Sequence, residues 1–159
     1  MHARKLKRAM LAVGMALAVP VAAAPLFFEG DMVRGGTDKG LTGPACVLTS
    51  QFKRGEAVAW RIRVRDQEGR NVDASALESL VVRLPDGQTF PAHFGSHPKG
   101  KNSDQFWSAS WMVPADYPTG TLSYTVVATT RDGSEQTWAP FKVALSQLTI
   151  VPGDVTYGK

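Results

Sequence analysis

Residues 56–66 alternate: Val58, Trp60, Ile62 and Val64 fall on one side, and Ala57, Ala59, Arg61, Arg63 and Arg65 on the other. Successive side chains of a strand point to opposite faces, so a period of two predicts a strand with one face in a core and one in water. Residues 106–113 repeat the pattern with Trp107, Ala109, Trp111 and Val113 inward, and residues 121–130 with Leu122, Tyr124, Val126 and Ala128 inward. Further strands are expected over 46–52, where Cys46, Leu48 and Phe52 share a face, and over 79–84, 88–94, 135–143 and 147–151. This makes roughly eight short strands bounded by turn residues, the sequence pattern of a two-sheet β protein.

The punctuation agrees with the strands. Asp66-Gln67-Glu68-Gly69, Pro85-Asp86-Gly87 and Arg131-Asp132-Gly133-Ser134 read as turns, the Asp-Gly pairs tolerating the positive φ of a tight hairpin. Asp73 is placed to cap a single helical turn over 73–77. Residues 95–104 carry Gly, Ser, His, Pro, Lys and Asn without periodicity and are expected to form a long exposed loop. No internal repeat or linker divides the chain, so one domain is expected over 24–152 with a loose tail over 153–159.

The N-terminus changes the picture of charge and compartment. Arg4, Lys5, Lys7 and Arg8 precede an apolar run rich in Ala, Leu, Met and Val that Pro20 interrupts, and Val21-Ala22-Ala23 offers small side chains. That is the pattern of a secretory signal peptide over residues 1–23, with cleavage expected after Ala23 and no membrane insertion afterwards. The whole chain has 18 basic and 14 acidic side chains, and removal of the four basic residues of the signal leaves the two signs equal. A neutral exported domain lacks the basic footprint of a nucleic-acid binder. Cys46 is the single cysteine, so no intrachain disulfide can staple the fold, which must rest on its core.

Gly55-Glu56 before an alternating strand, Leu84-Pro85-Asp86-Gly87, Trp111-Met112-Val113-Pro114 and Tyr117-Pro118-Thr119-Gly120-Thr121 together resemble the bacterial immunoglobulin-like and fibronectin type III-like modules of secreted proteins. The resemblance covers about residues 45–145 and is architectural. It implies an all-β immunoglobulin-like Greek-key sandwich of about 7–8 strands, and adhesion, binding or accessory roles. Lack of a second cysteine separates the chain from antibody-type domains.

Candidate chemistry is sparse. No Gly-x-Ser-x-Gly elbow, phosphate-cradling glycine loop or His-Glu-x-x-His motif occurs, and Asp66, Asp86 and Asp132 sit in turns. The expectation is a non-enzymatic periplasmic or secreted binding or accessory protein without a cofactor, a small protein partner of a larger exported complex. The alternative is a metal-binding or redox-accessory protein. Cys46, His93, His97, Met32 and Met112 offer thiolate, imidazole and thioether, which suit copper, with Cys46 and His97 or His93 as the pairing to test. A third reading is a carbohydrate-binding module stacking sugars on tryptophan, although Trp60, Trp107 and Trp111 fall on core-facing positions and only Trp138, near Pro140, suits an edge. For a partner surface the candidates are the outward stripe Arg61, Arg63 and Arg65, and the loop residues His97, Lys99 and Lys101.

Overall fold

The computed structural model describes residues 24–35, 47–97, 103–143 and 145–153. The segment 1–23 expected to be a signal peptide, Cys46, Lys99, Lys101 and residues 154–159 lie outside the described residues. Within them the chain is all-β, with eleven strands and no helix: β1 (Phe27–Arg34), β2 (Gln51–Lys53), β3 (Ala57–Arg65), β4 (Leu77–Arg83), β5 (Thr89–Pro91), β6 (His93–His97), β7 (Asp104–Met112), β8 (Gly120–Leu122), β9 (Thr125–Thr130), β10 (Glu135–Trp138) and β11 (Leu148–Val151). A first antiparallel sheet has the order β1-β3-β7-β6 and a second the order β10-β9-β4-β5. A third, small sheet has the order β2-β11-β8, with β2 and β11 parallel.

The alternation expected of 56–66 is present in β3. Val58, Trp60, Ile62 and Val64 are buried and the three arginines half-exposed. They meet Leu80 and Val82 of β4 and Val126 and Ala128 of β9 in one core shared by both main sheets. Trp60 lies at its centre, 5.6 Å from the Phe90 ring and 5.9 Å from that of Tyr124. Trp107 and Trp111 are buried as well, and the indole N–H of Trp107 donates to the Val72 carbonyl at 2.9 Å. Large aromatic side chains bury the most area per residue, so these rings carry much of the drive to fold.

Several boundaries differ from the expectation, each for a local reason. Residues 27–34 form a strand that the pattern did not reveal. The expected strand 88–94 is two: β5 pairs with β4 in the second sheet, the Ala92 N–H donates to Leu80 at 2.8 Å, and β6 then joins β7 in the first. Gly95, Ser96 and His97 are therefore strand, not the start of a loop, and Asp104 already belongs to β7. Residues 121–130 also divide, β8 pairing with β11 and β9 with β4 and β10. Residues 47–50 are irregular and Leu48 is exposed rather than inward, while Phe52 is fully buried. Asp73 accepts from the N–H of Ser75 at 2.8 Å and its carbonyl from Ala76 at 3.1 Å, but the chain passes straight into β4, leaving a turn without a helix. β10 ends at Trp138, ahead of Pro140, which has no N–H for a ladder.

One seam between the main sheets is closed by β1 and β10. Trp138 lies parallel to Phe28 at 6.2 Å and fits over Gly30, where a Cβ would stand 2.9 Å from the indole ring. The Gln136 side-chain amide clasps the N-terminal segment, donating to the Ala24 carbonyl and accepting from the Leu26 N–H, both at 2.8 Å.

Candidate functional site

The outward face of the first sheet collects six of the sequence-derived candidates, Arg61, Arg63, Arg65, His93, His97 and Met112. Register sets them in rows: Asp31, Arg61, Ser108 and His93 lie side by side across β1, β3, β7 and β6. Four residues along β6, His97 stands beside Asp104. Ala59, Ser108 and Ser110 are small, and over them runs an open groove of about 870 Å³ flanked by Arg61, His93 and His97. Phe106 is the large ring of this face. It is buried beneath the His97 imidazole, stacked at 4.7 Å, and near the Arg63 guanidinium at 5.9 Å. Arginine over an aromatic face gains from the ring quadrupole.

The arginine stripe is met by carboxylates that are far away in sequence. Arg61 binds Asp31 through two bonds, at 2.6 and 2.8 Å. Arg63 is paired with Asp104, and Arg65 with Glu29 at 3.2 Å. Arg65 also donates to the Gly69 carbonyl at 3.1 Å and to Asn71 at 3.2 Å. Half-exposed pairs of this kind contribute about 0.2–1 kcal/mol each, so their main effect is to fix side-chain positions. Behind the face, burial and then the charge of Asp31 push the Tyr124 phenol up to about 12.

Among the described residues the metal candidates are not gathered at one point. His93 and His97 share a face but lie four residues apart on a strand, about 13 Å at 3.3 Å per residue. Metal–imidazole bonds are about 2 Å long, so one ion cannot sit directly between two backbones so spaced without long side-chain reach from both. Met112 is exposed on β7, four residues beyond Ser108, the neighbour of His93. Met32 is buried in the core. Among the described residues no three His, Cys, Asp or Glu side chains cluster for a metal ion.

A second surface was not among the sequence-derived candidates. Between β10 and β11 the chain makes an excursion in which Phe141 is 83% and Leu145 88% exposed, and with Leu48 they rim a groove of about 430 Å³. The excursion is anchored from inside: buried Gln147 donates to the Phe141 carbonyl at 2.7 Å. The strand expected over 135–143 stops at Trp138, so Phe141 and Val143 fall outside the ladder and are exposed.

Comparison with known protein families and with curated proteins finds no match to this chain. The fold itself defines the class: an all-β protein of two main antiparallel sheets around an aromatic core.

Proposed function

We propose that the chain is a non-enzymatic binding or accessory protein of the exported compartment, an immunoglobulin-like sandwich that engages a protein partner through the outward face of its first sheet. The observation that carries the reading is the groove over Ala59, Ser108 and Ser110, bordered by Arg61, His93 and His97 on rigid strands. Small side chains there leave the sheet open to contact, and paired arginines present donors in fixed positions.

The Greek-key part of the reading is supported by the sheet orders β1-β3-β7-β6 and β10-β9-β4-β5, together with a chain that leaves the first sheet after β1 and pairs through β2 with the last strand. Export is supported by the basic residues and apolar run ahead of Ala24.

The test is affinity capture from the envelope fraction of the native host, with cross-linking and mass spectrometry. The protein should retain a defined partner whose cross-links map to β3, β6 and β7. Ser108→Arg, which fills the groove from a partly exposed position, should keep the melting temperature and lose the partner. Equal capture by this variant would overturn the assignment of the face.

A further inference from the structure

We infer that the groove between the end of β10 and the segment before β2 binds a neutral sugar, whose C–H face lies on Phe141 and one of whose hydroxyls accepts from Tyr124 and donates to Asp31. The inference does not depend on the partner reading above, which rests on a different groove.

The strands build this groove. β10 ends at Trp138, ahead of Pro140, and the indole is fixed over Gly30 and against Phe28. From there the chain turns outward and displays the Phe141 ring, while buried Gln147 holds the Phe141 carbonyl at 2.7 Å. The space between Trp138, Phe141 and Leu48 is about 430 Å³, within the roughly 300–1,000 Å³ of small-molecule clefts.

An unused donor lies at the wall of this space. Tyr124 lines the groove and is 2% exposed, yet its hydroxyl has no hydrogen-bond partner among the described residues. Buried tyrosine hydroxyls ordinarily find a partner, so one left open towards a cleft points to a ligand that supplies it. Burial and the nearby charge of Asp31 keep the phenol protonated up to about 12, so it stays a donor at neutral pH. Asp31 lines the same groove. A carboxylate has about four acceptor sites, and the two bonds from Arg61 leave capacity for another donor.

These two groups select the occupant. No lysine or arginine lines the groove among the described residues, so Asp31 opposes an anionic head group. An ammonium would suit Asp31 but brings no acceptor for Tyr124. A hydrocarbon chain would seal the Tyr124 hydroxyl from water without an acceptor, at the full desolvation cost of that donor. A hydroxyl is acceptor and donor at once and satisfies both. A pyranose ring adds an apolar C–H face for Phe141, and its further hydroxyls meet the rim at Ser50 and Ser146.

The experiment uses protein purified from the exported fraction, titrated with cellobiose, maltose and diacetylchitobiose by calorimetry and by tryptophan emission. The expected result is saturable binding of at least one of them at one site per chain, with a shift in emission, because Trp138 lines the groove while Trp60, Trp107 and Trp111 are buried. Tyr124→Phe keeps the ring and removes a hydroxyl that bonds to nothing in the fold, so it should leave the melting temperature unchanged and weaken the sugar about three- to tenfold. Phe141→Ser, at an exposed position, should weaken it at least as much with the fold intact. Ser108→Arg, in the other groove, should bind the sugar as the wild type does, which separates this site from the partner face. Absence of saturable binding by all three disaccharides at millimolar concentration would overturn the inference. So would sugar binding indifferent to both Tyr124→Phe and Phe141→Ser, or tighter binding of decanol or p-cresol than of every sugar, which would make the groove a site for a hydrocarbon chain or a phenol.

Discussion

Two buried tryptophans offer a sharp test of how the core is satisfied. Both Trp60 and Trp107 lie inside, but the Trp107 indole N–H has the Val72 carbonyl as its acceptor, whereas the Trp60 N–H is buried with no acceptor among the described residues. Replacing either by phenylalanine removes three heavy atoms, a transfer loss of about 2 kcal/mol at roughly 0.8 kcal/mol per buried carbon. At Trp60 the change also removes an unpaired donor whose burial costs about 1–3 kcal/mol, so the two effects nearly cancel and Trp60→Phe should lie within about 1.5 kcal/mol of the wild type. At Trp107 the change strips the Val72 carbonyl of its donor, and a similar penalty adds to the transfer loss, giving about 3–5 kcal/mol. Urea denaturation followed by far-ultraviolet circular dichroism measures both. Trp60→Ala serves as the control for packing itself and should cost about 3–5 kcal/mol. Equal losses for the two phenylalanine variants would refute the assignment of an unpaired Trp60 donor, and a loss below about 1 kcal/mol for Trp60→Ala would refute its central place in the core.

The alkaline limb of stability should follow two tyrosines: burial, then the hydrogen bond to Asp86, pushes Tyr117 up to about 12, and burial does the same to Tyr124. A phenol whose folded pKa is raised stabilises fully below its unfolded value near 10 and loses that contribution as pH rises towards 12, so stability should fall across this window and fall less in Tyr117→Phe, as read by denaturation at stepped pH. The Asp86 carboxyl, held below its usual range first by the Tyr117 hydroxyl, acts on the other limb: its contribution is present above the unfolded carboxylate pKa and disappears as acid titrates the folded group. Gly30→Val should push Trp138 off its seat on β1, open the seam and raise exposed-tryptophan fluorescence quenching by iodide, since even a Cβ meets the indole at 2.9 Å. Phe141→Ser combined with Leu145→Ser should change stability by less than about 0.5 kcal/mol while lowering binding of a hydrophobic dye, because both side chains are exposed already. Mass spectrometry of the exported protein should give a chain beginning at Ala24.

What was legible in the sequence follows from how locally each element is determined. β3 could be read directly because its two faces differ so strongly, valine, isoleucine and tryptophan against arginine. β1 could not, because its outward Glu29 and Asp31 make sense only once Arg65 and Arg61 of β3 pair with them, and its inward Gly30 makes sense only under Trp138. The switch of sheet at Ala92 leaves no trace in the period, since Phe90, Ala92 and Phe94 keep facing the same core while the hydrogen-bond partners change from β4 to β7. The site was half legible for the same reason. Arg61, Arg63 and Arg65 declare a stripe along one strand, but their company with His93 and His97 is a matter of lateral register across β7. In the excursion after Trp138, apolar alternation continued past the point where Pro140 ended the ladder, so Phe141 and Val143 kept the look of a strand outside the sheet.

The parallel alignment of β2 with β11 gives the molecule a mechanical character. Thr149, Ile150 and Val151 run in the same direction as Gln51, Phe52 and Lys53, and the contact is extended by bonds from Thr149 to Ser50 at 2.8 Å and from Arg54 to Val151 at 3.2 Å. Tension applied to the two chain ends reaches β2 once β1 has left β3, and then draws β2 towards its N-terminal side and β11 towards its C-terminal side. The forces are therefore opposed along the strand axes, and the backbone bonds are loaded in shear and must yield together instead of unzipping one by one. A domain held in this way resists stretching between its termini more than its modest length of pairing suggests.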